Sequence, residues 1–383
     1  DKFDLARMLR EKGYILISSK EVKKQPASRF FALGLFGRVS LAEKMIFARN
    51  LAVMIKAGLS LVKSLEILAN QTKSRKFREV LTALAGEIQR GKFLSDSMKA
   101  HPEVFSPLFV SIVKAGEEGG NLAGNFKLIS YQLAGEHNLL RKIKGAMIYP
   151  AIIIITMIVI GILMLIYVVP TLISTFKELK ISLPPATQFI IFVSDFIVSH
   201  TLIFFALIFA AFVSAAYFIR TETGKKAISV VFSRAPILGI LIQKINAART
   251  TRTLGSLIGS GVDILKALEI TEEVLQNYRY KKTLAEARFK VQKGGPISEV
   301  FKNKSDLYPA LVGEMMAVGE ETGQLSQMLV QLADFYEEEV ADATKDISTV
   351  IEPALMVAVG AVIGFFAISM IQPLYSSLAG SGL

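Results

Sequence analysis

Three stretches of this chain are long enough and apolar enough to cross a membrane, and the polar sequence between them is written at helical period. From Gly145 to Phe176 there is no Asp, Glu, Lys or Arg. Within it, AIIIITMIVIGILMLIYVV comes close to the roughly 20 residues that carry a helix across a bilayer. The run from Pro353 to the C-terminus is equally free of charge, and a third apolar run, Phe196 to Ile219, is interrupted only by His200. In the polar parts, Ile46, Phe47, Leu51, Met54 and Ile55 share one face of a predicted helix. Ser40 with Glu43 three residues on is a capping box that opens this helix, and Gly58 closes it in the left-handed conformation. Ser60 and Asp263 predict N-caps for helices Leu61 to Gln71 and Ile264 to Gln276. Gly91 with Ser95, and Gly294 with Ser298, predict a further break and cap. No run alternates apolar and polar residues in a way that predicts a sheet in these regions. The chain begins differently, with an amphipathic helix stopped by Gly13, a short strand Tyr14 to Ser18, and a basic linker to residue 39. One helix and one strand cannot close a core, which leads us to expect partner strands upstream of Asp1.

The pattern occurs twice. Residues 49–170 realign without a gap as residues 252–373, and RNLAVMIKAGLSLVKSLEI at Arg49 matches RTLGSLIGSGVDILKALEI at Arg252 at eight of nineteen positions. Unrelated sequences of ordinary composition would share about one or two. The same register pairs AGEEGGNL (Ala115 to Leu122) with VGEETGQL (Val318 to Leu325), Pro150 with Pro353, and Pro170 with Pro373. Each copy is therefore a polar half of five or six helices in an antiparallel bundle, ending in a membrane span. Two like halves on one side of a membrane need a crossing between them, and the unpaired apolar run supplies it. The expected organisation is an all-α membrane protein: N-terminal segment 1–39, bundle 40–144, span 145–170, outer loop 171–195, span 196–219, bundle 220–348 and span 353–378.

Charge orients this arrangement. Arg141, Lys142 and Lys144 precede the first span, and Arg220, Lys225, Lys226, Arg234, Lys244, Arg249 and Arg252 follow the second, while the loop at 171–186 offers Lys177 and Lys180 against Glu178. The positive-inside rule puts both bundles in the cytoplasm and the C-terminus outside. The net charge of +11 raises nucleic acid as a partner. Basic residues crowded at span ends point instead to anionic lipid head groups, and no direct nucleic-acid contact is expected. There is no cysteine, which excludes disulfides and thiolate metal sites.

Candidate chemistry is sparse. Gly86 to Lys92, GEIQRGK, matches the start of a phosphate-binding loop, but Phe93 stands where a magnesium-binding Ser or Thr belongs and no strand precedes it. His101, His137 and His200 lie in three different regions and lack metal-ligand spacing. Asp195 and His200 flank the middle span, where ionisable residues are functional candidates, but at its hydrated edge. The sharpest polar feature is Glu117 and Glu118, echoed by Glu320 and Glu321. Paired carboxylates suit acid–base work or a divalent ion. No basic partner accompanies them in both copies, so the stronger expectation is a helix connection. In it Gly116 ends one helix, the acids sit at the start of the next, and Gly120 permits an unusual turn. Pro150 and Pro353 are expected to open their spans, where a missing N–H costs little, and Pro170 and Pro373 to close them. The acidic run Asp334, Glu337, Glu338, Glu339, Asp342 reads as a solvated helix face, with no such run in the first copy.

Two helical domains carrying Gly-x-x-(Leu/Ile)-x-x-(Ser/Ala)-Leu-Glu and Gly-Glu-x-x-Gly-x-Leu, each ending in a Pro-led span with one span between, resemble the type II secretion protein F family over residues 40–378. These are inner-membrane platform proteins of type IV pilus and type II secretion machines. The resemblance implies a scaffold without enzymatic activity or cofactor, coupling a cytoplasmic hexameric ATPase to pilin or pseudopilin subunits, alongside other inner-membrane assembly proteins and as a homo-oligomer. It carries over to Gly58, Leu65 and Glu66 with Gly261, Leu268 and Glu269, and to Gly116, Glu117, Gly120 and Leu122 with Gly319, Glu320, Gly323 and Leu325. Gly119, where the second copy has Thr322, departs from the repeat. A small repeat-built transporter is the rival reading. Only three spans, no broken helix pair at matching depth and a chain with most of its residues outside lipid speak against it.

Overall fold

The computed structural model describes residues 39–178, 183–221, 224 and 236–380, and all regular structure among them is helical. The helix, strand and linker expected before residue 39 lie outside the described residues. The first copy comprises α1 (Leu41–Lys56), α2 (Leu61–Gln71), α3 (Arg75–Gln89), α4 (Leu94–Lys99), α5 (Pro107–Glu118) and α6 (Leu122–Leu163). A π-helical turn, Met164–Val168, leads into α7 (Val169–Glu178), followed by α8 (Pro185–Ser199) and α9 (Thr201–Arg220). The second copy comprises α10 (Pro236–Gly259), α11 (Ile264–Val274), α12 (Tyr278–Gln292), α13 (Ile297–Lys302), α14 (Ala310–Glu321) and α15 (Leu325–Gly380).

Local signals set the ends of many of these helices. Ser40 and Glu43 form the expected reciprocal capping box, Ser60 caps α2, and Asp263 caps α11 through the Leu265 and Lys266 amides. Gly58 and Gly261 stop α1 and α10 with φ of +86° and +90°. In each copy the first helix lies along the last, α1 on α6 and α10 on α15, and the shorter helices close the bundle. Phe47, Phe77, Phe105, Phe109 and Phe126 fill the first core, with ring centres 5.1–6.4 Å apart. The second core keeps the plan with more polar rings, Tyr280 and Tyr308 against Phe301. The two cores run together as one apolar cluster.

The structure corrects three sequence expectations. Pro150, Pro353 and Pro373 do not open or close helices, because each lies inside one, and Pro170 is the second residue of α7, which runs on to Glu178. Proline lacks an N–H and crowds the carbonyl four residues back, but inside a long membrane helix neighbours and local adjustment absorb the defect. Consequently α6 and α15 run from bundle to apolar span without a break. Gly116 does not end a helix either. It lies buried within α5, with Glu117 and Glu118 in the last turn, and the chain reverses at Gly119 and Gly120, the latter at φ +67°. Ser95 and Ser298 are not N-caps, since Phe93 and Pro296 hold those positions and offer no side-chain cap.

Among the described residues two helices are long and apolar enough to cross a membrane, Leu122–Phe176 and Leu325–Pro373, and the pair α8 and α9 makes a third if counted as one span. That pair bends by 97° at His200. Helix α8 holds the two long spans together. The Thr187 hydroxyl donates to the Ser369 carbonyl of α15, and the Ser194 hydroxyl donates to the Leu165 carbonyl inside the π turn. A hydroxyl bonded to backbone is what an apolar medium demands of both groups. Around these bonds Val169, Phe176, Ile190 and Met370 form a second small core.

Candidate functional site

The Gly-Glu-Glu turn builds the same device in both copies. Helix α4 begins at Phe93 without a side-chain cap, which leaves its first amides in need of acceptors. Glu117, at the end of α5, supplies them. Its carboxylate accepts from the Leu94 amide, from the Ser95 amide at 3.0 Å and from the Ser95 hydroxyl at 2.6 Å. Glu320 repeats this on α13, accepting from the Ile297 amide at 2.6 Å and the Ser298 amide at 3.1 Å. A carboxylate at a helix N-terminus gains both the hydrogen bonds and the favourable end of the helix dipole. Glu117 and Glu320 are therefore occupied in tying α5 to α4 and α14 to α13. Glu118 faces solvent and pairs with Lys114 at 3.7 Å, and Glu321 is exposed.

The glycines of the motif answer to close approach. A Cβ on Gly116 would come 2.9 Å from Asn125 Cβ, and one on Gly319 would come 2.8 Å from the Leu325 backbone. Asn125 Nδ2, so admitted, donates to the Ile112 carbonyl at 2.9 Å. Leu122 and Leu325 are half-buried against the shared core, Leu65 and Leu268 are buried in it, and Glu66 and Glu269 lie on the surface, paired with Lys63 and Lys266. Sequence GEIQRGK forms no phosphate cradle. Its first residues are the last turn of α3, the Gly91 and Lys92 amides donate to Ile88 and Glu87 carbonyls, and Lys92 pairs with Glu87. Among the described residues no group of three or more His, Asp or Glu is arranged to hold a metal ion.

A cluster that the sequence did not single out joins the two copies. Arg252, on α10 and only 3% exposed, donates through Nε to Glu337 at 2.8 Å and through Nη2 to Asp334, both on α15. Its guanidinium stands 4.8 Å from the ring centre of Tyr131 on α6, and the Tyr131 hydroxyl donates to Asp334 at 2.9 Å. Burial works against the Arg252 charge, but the bonds to Glu337 and Asp334 outweigh it and raise its pKa. Beside it the Ser256 hydroxyl donates to Gln132 at 2.8 Å, with both residues buried. Nearer the membrane the Tyr149 hydroxyl donates to Glu352 at 3.2 Å. The acidic run of α15 is thus only partly a solvated face, because Asp334 and Glu337 hold the seam. No sequence signal separates Arg252 from its repeat counterpart Arg49, which is exposed. Deeper in the apolar region, α6, α8 and α15 leave a groove of about 470 Å³ lined almost wholly by hydrocarbon, including Ile153, Met157, Phe189, Val362 and Phe366.

Comparison with known proteins agrees with the repeat. The family model for type II secretion system protein F matches twice, at residues 47–170 and 250–373. The chain is 34% identical over 370 residues to the type IV pilus assembly protein PilC of Thermus thermophilus, covering 97% of this chain and 91% of that one. It is 36% identical over 350 residues to PilC of Myxococcus xanthus, covering 90% and 82%. To the type II secretion system protein F of Aeromonas hydrophila it is 30% identical over 374 residues, covering 96% and 95%.

Proposed function

The chain belongs to the type II secretion system protein F family, and from that premise we propose that it is the inner-membrane platform through which a cytoplasmic assembly ATPase drives pilin or pseudopilin subunits out of the membrane. In this reading both bundles are cytoplasmic, three spans cross the membrane, and the C-terminus lies outside. The chain performs no catalysis itself and takes the work of the ATPase through contact. The observation that carries the reading is the continuity of α6 and α15, each a single helix from bundle core to apolar span. A displacement imposed on a bundle is then transmitted to the membrane, because no loop intervenes to absorb it.

Deleting the encoding gene, with complementation, tests the outcome. Loss of surface filaments identifies a pilus platform, and loss of exported proteins with filaments intact identifies a secretion platform. No change in either refutes the reading. The coupling is tested by inserting a short Gly-Ser linker after Lys144 and, separately, after Lys345. Both variants are expected to insert in the membrane and fail to support assembly. Normal filament or export output from them would sink mechanical coupling while leaving the scaffold role intact.

A further inference from the structure

The seam between the two copies is one-sided. Besides the pairing of the equivalent long helices α6 and α15, the first copy contributes α5 and α6 and the second contributes α10 and α11, whereas the reciprocal faces, α1 and α2 against α14 and the other side of α15, make no comparable contact. A two-fold relation would bury both sets equally. There is also no stagger between copies, since Tyr131 meets Asp334 and Tyr149 meets Glu352, each pair lying 203 residues apart in sequence. The second copy is therefore reached from the first by a turn about the direction of the long helices, without a rise. Among the described residues, one face of each kind is left without a partner element.

These free faces match each other at the positions that the seam uses. Inside the seam Gln132 and Ser256 form a buried polar pair. Their counterparts in the opposite copies are Phe335 and Val53, both apolar and 44% and 63% exposed. Arg252 stands against Gly135, where a Cβ would lie 3.1 Å from its Nε. The counterparts are Arg49 and Glu338, both exposed and opposite in charge. Leu108 is buried in a cleft that it shares with Arg249, Thr253 and Val274. Its counterpart Leu311 is 42% exposed, and the counterparts of that cleft, Ile46, Asn50 and Gln71, border an open groove of about 290 Å³. Solvated faces have no reason to change in step, a polar pair for an apolar pair and a cation against glycine for a cation against an anion. Surfaces that meet do.

We propose that α14 and α15 of one chain dock on α1 and α2 of a second copy, repeating the internal seam between chains. A heterologous contact with no rise, made by chains anchored in one membrane, closes into a ring about the membrane normal rather than climbing into a fibre. Because the chain has no cysteine, cross-linking tests this directly. Two differently tagged full-length chains, one carrying Val53→Cys and the other Phe335→Cys, are co-expressed and oxidised in the membrane. A mixed dimer is expected. In a chain carrying both substitutions a ladder of higher products is expected. Gln132→Cys with Ser256→Cys in one chain should give an internal link, showing the seam to be intact. Arg49→Glu or Glu338→Arg alone should lower the mixed dimer severalfold, and both together should restore it. If the internal link forms and the mixed dimer does not, whether because the faces stay solvated or because another part of the chain covers them, the proposal is overturned. Charge reversal with no effect on a dimer that does form would overturn the register.

Discussion

Thr250 and Tyr308 show how single residues diverged while the repeat held. In the first copy the same two positions are Phe47 and Phe105, packed ring to ring at 6.2 Å. In the second, a buried hydroxyl pair at 3.0 Å takes their place. An aromatic contact has been exchanged for a satisfied hydrogen bond, and each survives because both partners changed together. The glutamates of the Gly-Glu-Glu turns can be separated by the same logic. Glu117→Ala strips acceptors from the start of α4 and should cost about 2 kcal/mol, the range for hydrogen bonds to a charged group. Glu118→Ala, on an exposed pair, should change stability by under about 0.5 kcal/mol. Denaturation of the two purified variants in detergent decides this, and equal losses would contradict the capping role. Asn125 makes a similar point: its side chain reaches the Ile112 carbonyl only because residue 116 has no Cβ.

At the scale of elements, the second bundle buries three tyrosines in its core at positions where the first has apolar side chains. Burial pushes the Tyr336 hydroxyl up to about 12, and Tyr280 and Tyr308 rise further for the same reason. The first copy has Leu133, Phe77 and Phe105 in these places. A raised tyrosine pKa means that the folded state prefers the neutral ring. That stability is fully present below the unfolded value near pH ~10 and is lost as pH climbs through the folded values. Limited proteolysis between neutral pH and about pH 12 should therefore open α10–α15 before α1–α6. Simultaneous opening, or opening of the first bundle first, would count against this account.

Helix ends governed by nearby residues were legible in the sequence: Ser40, Ser60 and Asp263 cap within two or three positions. The start of α4 was not, because its acceptor, Glu117, comes from more than twenty residues away. The prolines misled because the rule that breaks a helix in water is relaxed where neighbouring helices stabilise it. The seam was hidden for another reason: Arg49 and Arg252 are the same letter in the same motif, and only packing buries one of them.

For the molecule as a whole, the proposed orientation predicts a labelling pattern. A cysteine placed at Glu178, past the end of the first apolar helix, should react with an impermeant maleimide in spheroplasts, and one at Lys99, in the first bundle, should react only after lysis. The reverse pattern would invert the proposed topology. Length adds a last consequence. Helix α15 has 56 residues, and at 1.5 Å per residue it is a rod of about 84 Å. Pivoted at its bundle end, such a rod swings its far tip by about 7 Å for a tilt of only about 5°. A small rocking of the bundle thus gives the outer end of the span a travel comparable to the width of a helix, without any change in the packing of either core.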